Sequence, residues 1–547
     1  MPQCQSCQKD FTIYPEDRQF YQQLNVPEPT LCPDCRQQRR LAWADEMTLY
    51  ARKCDLTGKN IISMFNPDVP FPVYGVREWW GDGWEALKYG QEYNPDKSCF
   101  EQIIELNNKV PHPAIDCNVS TMENSDYINY ATYAKNCYLI FDSDYNNNCY
   151  YSYSINTCRD LIDGLKLRRC EYSYECIDCV DCFKLRYCQD CNKCSESYFL
   201  KYCSGCNNCF GCVNLRNRSY YWLNKQLTPE EYNKRLAIVD FGSREVVAKV
   251  AATFKEFSLK HPHISIHGVK NEGCVGDYLY SSTQTVESYD CQEVQNCRYC
   301  YSVSLGAKDL YDVFQFGGEC QLLYEDVVAG SKDYNVKFCC LSYVGCQNIE
   351  YCIDCISCKN CFACVGLRKK EFCLLNKQYT QAEYNQLKEK MIAKMQADKE
   401  YGEFFPASMS HHGYNETTAM FYFPLTRDEA LKQGFKWYDK EEKKAEVKLP
   451  PDNIKAVDDS IGREIFVCTC GKPYKIIPQE LKFYKENNIP LPDRCYICRH
   501  VKRLEKRNPQ RLWLRKCDKC YKEIRTTYSP ERPEIVYCKE CFIKEVY

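Results

Sequence analysis

The residues best placed to do chemistry are cysteines. Cys4 and Cys7, then Cys32 and Cys35, form two Cys-x-x-Cys knuckles. Each knuckle turns two thiolates toward one point, and four thiolates at that point make a tetrahedral zinc site. Cys517, Cys520, Cys538 and Cys541 repeat the arrangement. Cys468, Cys470, Cys495 and Cys498 form a third set, whose first knuckle is Cys-x-Cys. Either that site is distorted or Cys468 takes the missing position. Closed four-thiolate sites keep no open coordination position for a substrate. The metal then supplies folding energy that such small modules lack. The expectation is about three structural zinc ions.

The modules that position these ligands are duplicated. Moved back by 463 positions, the C-terminal stretch lies on the N-terminal one without a gap. Cys7, Cys32 and Cys35 fall on Cys470, Cys495 and Cys498, and Arg36 and Arg40 on Arg499 and Arg503. Phe20-Tyr21 falls on Phe483-Tyr484. The match continues through Cys54, which meets Cys517, while Thr57, Gly75 and Glu78 stand where the other three ligands of the last ribbon are. One thiolate cannot hold zinc. That second ribbon should rely on packing instead, through Trp79, Trp80 and Trp84.

Between the ends lies another duplication. "CSGCNNCFGCVNLRNRSYYWLNKQLTPEEYN" (203–233) matches "CISCKNCFACVGLRKKEFCLLNKQYTQAEYN" (355–385) at an offset of 152. A shorter period of roughly 10–15 residues runs inside each half: a polar turn residue, a cysteine or small residue, an aromatic, then a strand-like run. Such a unit buries its apolar side only by stacking on its neighbours. The fold class expected is mostly β: two tandem β-solenoids over 112–227 and 262–377, with capping helices, flanked by small zinc-ribbon modules. Asn and Asp should turn the corners, and Tyr, Phe and Cys should form inward ladders. Thr228-Pro229-Glu230-Glu231 and Thr380 with Glu383 read as capping boxes that start the capping helices. Cysteine-rich runs such as "CIDCVDC" (176–182) leave two alternatives. They are buried thiols acting as small hydrophobes, or ligands for further zinc or iron–sulfur.

The whole-chain totals narrow the function. Forty-three cysteines in 547 residues, a net charge of −2 and only seven histidines suit four-cysteine sites and give no overall pull toward nucleic acid or membrane. No secretory signal or long apolar run is evident, so a reducing cytoplasm and no membrane partner are expected. His261, His263 and His267, and His411-His412, read as loop histidines. No P-loop, G-x-S-x-G, Rossmann or H-E-x-x-H motif occurs, so no catalytic residue is nominated. One charge run stands out at 499–516. There Arg499, Lys502, Arg503, Lys506, Arg507, Arg511 and Arg515 form a candidate grip on phosphate backbones. A solvated basic face is the alternative.

"CQKDFTIYPEDRQFYQQLNVPEPTLCPDCRQQRR" and "CGKPYKIIPQELKFYKENNIPLPDRCYICRHVKR" resemble the zinc-ribbon domain of many uncharacterised bacterial proteins. The layout resembles long cysteine-rich zinc-ribbon proteins from candidate-phyla bacteria, with "SMFNPDVPFPVYGVREWWGD", "NSDYINYATYAKNCY" and "GYNETTAMFYFPLTRDEALKQGFKW" among the similar stretches. The resemblance covers most of the chain and implies zinc and a bacterial source, but no activity. The expected organisation is a zinc ribbon (1–50), a metal-free ribbon and connector (51–111), the first repeat (112–227), a capping helix and linker (228–261), the second repeat (262–377), a second capping helix and linker (378–463), a ribbon with a basic helix (464–510) and a last ribbon (511–547). The functional expectation is a non-enzymatic zinc-binding scaffold with nucleic acid, a ribonucleoprotein, another protein or itself as partner. The alternative is a metal-handling or iron–sulfur redox protein that uses the repeat cysteines.

Overall fold

The computed structural model describes residues 1–439 and 446–546. Residues 440–445 of the second linker and Tyr547 of the last ribbon lie outside it. The described chain is mostly β. Its strands pair in parallel at a fixed sequence offset. In the first repeat Tyr153 bridges Leu165, which bridges Ile177, a step of 12 residues. In the second, Leu310 pairs Leu323, Leu323 pairs Val336 and Val336 pairs Ile349, a step of 13. The step returns to 12 from Ile349 to Cys361 and Cys373. Ten strands from Val275–Asp277 to Lys377–Gln378 therefore lie side by side in chain order.

Every third residue turns a corner. Tyr130, Tyr133, Asn136, Leu139 and Asp142 all have φ near +50°, and the series continues through both repeats. A left-handed residue costs roughly 1–2 kcal/mol when it carries a side chain. Backbone bonds to the next unit and side-chain ladders offset that cost. Asn124 donates to Asn136 (3.0 Å), Asn136 to Asn148 (3.2 Å) and Asn148 to Asp160 (2.9 Å). Asn335, Asn348 and Asn360 do the same in the second repeat. The longer 13-residue step accommodates one extra residue at a corner. At one such corner Gly317 has φ +114°, and a Cβ there would lie 2.4 Å from the Ser304 carbonyl oxygen.

Most residues that follow a corner are buried. In the first repeat these positions form one core of Cys, Leu, Ile and Ala, including Ile128, Cys137, Leu161 and Cys182. The expected inward aromatic ladder is not there. Tyr150, Tyr151, Tyr153 and Tyr174 belong to a separate cluster shared with Leu481, Tyr484 and Ile489 of the third ribbon. Three-residue sides enclose too little space for rings, so the aromatics cover the outside and only small side chains fill the inside.

Both repeats close in the same way. A hairpin pairs Tyr221–Trp222 with Lys225–Gln226, and Glu371–Leu374 with Lys377–Gln378. Asn224 and Asn376 sit in the two turns with φ near +60°. Their amides satisfy the last free backbone: Val213 N–H and C=O at 2.9 and 3.0 Å, Val365 N–H and C=O at 2.8 and 2.7 Å. Helices Pro229–Ile238 and Gln381–Ala397 follow, capped by Thr228 and Thr380.

The two repeats run antiparallel against each other. Asp116 accepts from Tyr343 (2.8 Å), Lys166 meets Asp290 (3.5 Å) and Asp190 accepts from Tyr278 (3.0 Å). As numbers rise in one repeat they fall in the other.

Candidate metal centres

Three cysteine sets converge. The four sulfurs of Cys4, Cys7, Cys32 and Cys35 lie within 4.8 Å of one another, as do those of Cys468, Cys470, Cys495 and Cys498 and of Cys517, Cys520, Cys538 and Cys541. In each set one pair is closest in the same way: Cys7 to Cys32 at 3.8 Å, Cys470 to Cys495 at 3.7 Å and Cys520 to Cys538 at 3.8 Å. The shortened third knuckle is not distorted out of use. Cys468 takes the buried place that Cys4 holds in the first site. Gly471, at φ +86°, closes the tighter turn through its N–H to the Cys468 carbonyl (2.8 Å).

The donor sets fit a metal that takes four thiolates. Backbone N–H groups already point at sulfur: Cys32 N–H at Cys4 (3.2 Å) and Cys538 N–H at Cys517 (3.2 Å). Cys32 and Cys495 are N-caps of helices Pro33–Leu41 and Tyr496–Leu504, whose N-termini favour negative charge. Both thiols are pulled down to about 5, chiefly by the hydrogen bonds of Cys35 and Cys498, against the opposing effect of burial.

The second ribbon keeps the frame without the ligands. Gly75 N–H reaches Cys54 sulfur at 3.3 Å, as Cys538 N–H does Cys517. Trp79 and Trp84 are buried as expected, but Trp80 is 45% exposed. Trp79 donates to the Pro111 carbonyl (3.0 Å), Trp84 to the Trp79 carbonyl (2.7 Å), and Arg368 lies over both rings.

The basic helix is occupied within the chain. Arg499 and Arg503 both bond Asp163, at 2.6 and 2.7 Å. Arg507 bonds Asp178 at 2.8 Å and Asp290 at 2.5 Å. All three arginines are buried, so they are not the phosphate contacts that the charge run suggested. Arg499 and Arg503 share the helix face that meets the first repeat, and Arg507, just past the helix end, reaches both repeats. Arg515 is taken by the Glu534 carbonyl (2.8 Å) and Asp518 (3.2 Å). Lys502, Lys506 and Arg511 remain exposed.

The first ribbon does the same on the other repeat. Arg36 and Arg40 both bond Asp312 at 3.0 Å, and Arg39 bonds Glu325 at 2.6 Å. Asp163 and Asp312 are left-handed corners at φ +59° and +58°, and Glu175 and Glu325 are the same corner one step later. Glu480 accepts from Tyr151 (2.7 Å) and Asp17 from Tyr299 (3.2 Å) at the corner one step earlier. A Tyr–Asp–Glu column on each repeat thus receives a ribbon from the opposite end of the chain. Sequence reasoning missed these carboxylates. The conserved offset that carried Arg36 and Arg40 onto Arg499 and Arg503 was the available signal.

The other two ribbons attach at the repeat entrances. Val73–Tyr74 pairs in parallel with His112–Pro113, and Val536–Tyr537 with His263–Ile264. His263 is therefore in a strand, not a loop, because its backbone completes the last ribbon. His267 is buried on Asp277 (2.9 Å), and His412 is buried against Phe65. Among the described residues no histidine joins a metal-ligand group, and neither do the repeat cysteines. All 43 cysteines are free thiols. No helix among the described residues is long and apolar enough to cross a membrane. No protein-family model matches the chain, and no curated protein is significantly similar to it.

Proposed function

We propose that this chain is a non-enzymatic scaffold of two paired β-solenoids, held in register by zinc ribbons that cross from one end of the chain to the far repeat. The fixed steps of 12 and 13 residues and the corner every third residue support the solenoid reading. The observation that carries the functional reading is the repeated seat of an arginine pair on a buried corner aspartate, Asp163 and Asp312. Each arginine pair projects from the helix that the second knuckle starts, so metal, helix and clamp are one unit. Three zinc ions per chain are expected by elemental analysis. Chelation should raise hydrogen exchange first in Pro33–Leu41 and Tyr496–Leu504, and then along the repeat faces they cover. Full chelation with no change in either helix would refute the reading.

A second reading, contact with nucleic acid, is favoured by the cations that stay outside. Lys502 and Arg511 are exposed, and Lys506 is half-exposed with Glu175 at 3.7 Å. Reversing the charge of these three should weaken binding of single-stranded RNA at low salt. Wild-type protein that binds no RNA under those conditions would remove this reading.

A further inference from the structure

The twelve cysteines from Cys158 to Cys212 are all buried and belong to one core cluster. Cys158, Cys170 and Cys182 stand one 12-residue step apart in the stacked units, and the Cys170 thiol donates to the Arg168 and Cys179 carbonyls at 3.5 and 3.4 Å. One step further on, the Cys206 N–H points at the Cys194 sulfur at 3.4 Å. Yet outside the three ribbon sets, no three ligand atoms among the described residues lie within 4.8 Å of one another. The repeat thiols do not gather in threes or fours. They offer no tetrahedral seat for zinc and no cage for an iron–sulfur cluster.

We propose that this thiol-lined interior binds soft monovalent metal ions, Cu(I) or Ag(I), as a chain of two-coordinate sulfur–metal–sulfur links. Thiolate donors select soft ions of this kind. A metal–thiolate bond of about 2.3 Å makes each straight link about 4.6 Å long. That is close to the strand spacing of about 4.8 Å that separates thiols one step apart. A column such as Cys158–Cys170–Cys182 can take metal between its members without widening.

The charge also balances. Each M⁺ replaces one thiol proton, which leaves for solvent. A column of n thiols joined by n − 1 ions releases n − 1 protons and keeps one on an end sulfur, so the chain is neutral, with no change of oxidation state. A neutral chain avoids the large cost of an uncompensated charge in an apolar interior. Four thiolates around a divalent ion would leave two negative charges there. The second repeat has a shorter column, in which the Cys352 N–H points at the Cys339 sulfur at 3.4 Å, and takes fewer ions.

The test is anaerobic titration of the zinc-loaded full chain with Cu(I) supplied as its acetonitrile complex, followed by native mass spectrometry. Several Cu(I) per chain with all three zinc ions retained is the expected result, together with the emission of water-shielded Cu(I)–thiolate. The variant Cys170→Ala/Cys182→Ala/Cys194→Ala should bind at least twofold fewer Cu(I). X-ray absorption on the wild type reads the same point without a variant, and two sulfur neighbours per copper are expected. Copper that enters only by displacing zinc one for one overturns the proposal. So does an average of three or more sulfur neighbours, or an unchanged capacity in a folded triple variant.

Discussion

Asp163→Asn isolates the charge of one clamp. Asparagine tolerates the left-handed corner that Asp163 occupies, so the backbone is not the variable. Asp163 is fully buried and receives two charge-assisted bonds, 2.6 Å from Arg499 and 2.7 Å from Arg503. Removing one partner of a buried ion pair costs about 3–5 kcal/mol, because the other charge stays buried. Here two guanidinium groups face one amide, whose oxygen can accept but whose NH₂ repels a second donor. Arg503 keeps the Tyr151 carbonyl at 3.1 Å and Glu175 at 3.4 Å, which places the loss near the lower end, about 3 kcal/mol. The damage should be local. Hydrogen exchange should rise in Tyr496–Leu504 and Pro478–Glu486, while Pro33–Leu41 stays protected. Asp312→Asn should give the mirror result. A double-mutant cycle of Asp163→Asn with Arg503→Met should show strong coupling. A loss below about 1 kcal/mol with unchanged exchange, the behaviour of an exposed pair, would refute the clamp.

Glu480 is pushed up to about 7, chiefly by burial, against the pull of Arg499 and the bond from Tyr151. The folded state therefore holds a proton that the unfolded state releases above about 4.5, so stability falls as pH rises from about 4.5 to 7. Glu480→Gln should flatten that slope by up to about 3 kcal/mol across the window, read from urea midpoints at several pH values. Cys54→Ser should leave zinc at three per chain by elemental analysis, whereas Cys520→Ser should lower it by one. Gly317→Ala should cost more than about 1 kcal/mol in thermal or urea unfolding, since its Cβ meets the Ser304 carbonyl oxygen at 2.4 Å.

Metal ligands were legible because their information is local: two knuckles and a gap specify a site whatever surrounds it. The duplications were legible for the same reason. What they could not reveal is which copy touches which partner. Arg36 and Arg499 are equivalent by offset, but nothing in the offset says that each reaches the repeat at the other end of the chain. The run at 499–516 misled because charge was counted and periodicity was not. Arg499 and Arg503 recur at helical spacing on the face of Tyr496 and His500, which is a packing face, and Arg507 follows just past the helix end. The aromatics misled in the opposite sense. Strand-like runs of Tyr and Phe suggested an inner ladder, but a three-residue side between left-handed corners leaves room for a thiol, not a ring.

That only the second module lacks a full cysteine set has a physical explanation in the chain path. That ribbon and the last one make the same parallel bridge to a repeat entrance. Val73 reaches His112 across 39 positions, whereas Val536 reaches back to His263 across 273. Loop-closure entropy grows with the logarithm of the loop, as (3/2)RT ln n, so the longer closure costs about 2 kcal/mol more. A module that is held close to its seat can dispense with a full set of thiols and rely on Trp79, Trp84 and Arg368. A ribbon recruited from the far end needs a prefolded, rigid strand to dock, and its four thiols supply one. The same holds for the two arginine clamps. Each must bring a preformed helix across the whole molecule to a buried aspartate, and each has kept all four cysteines.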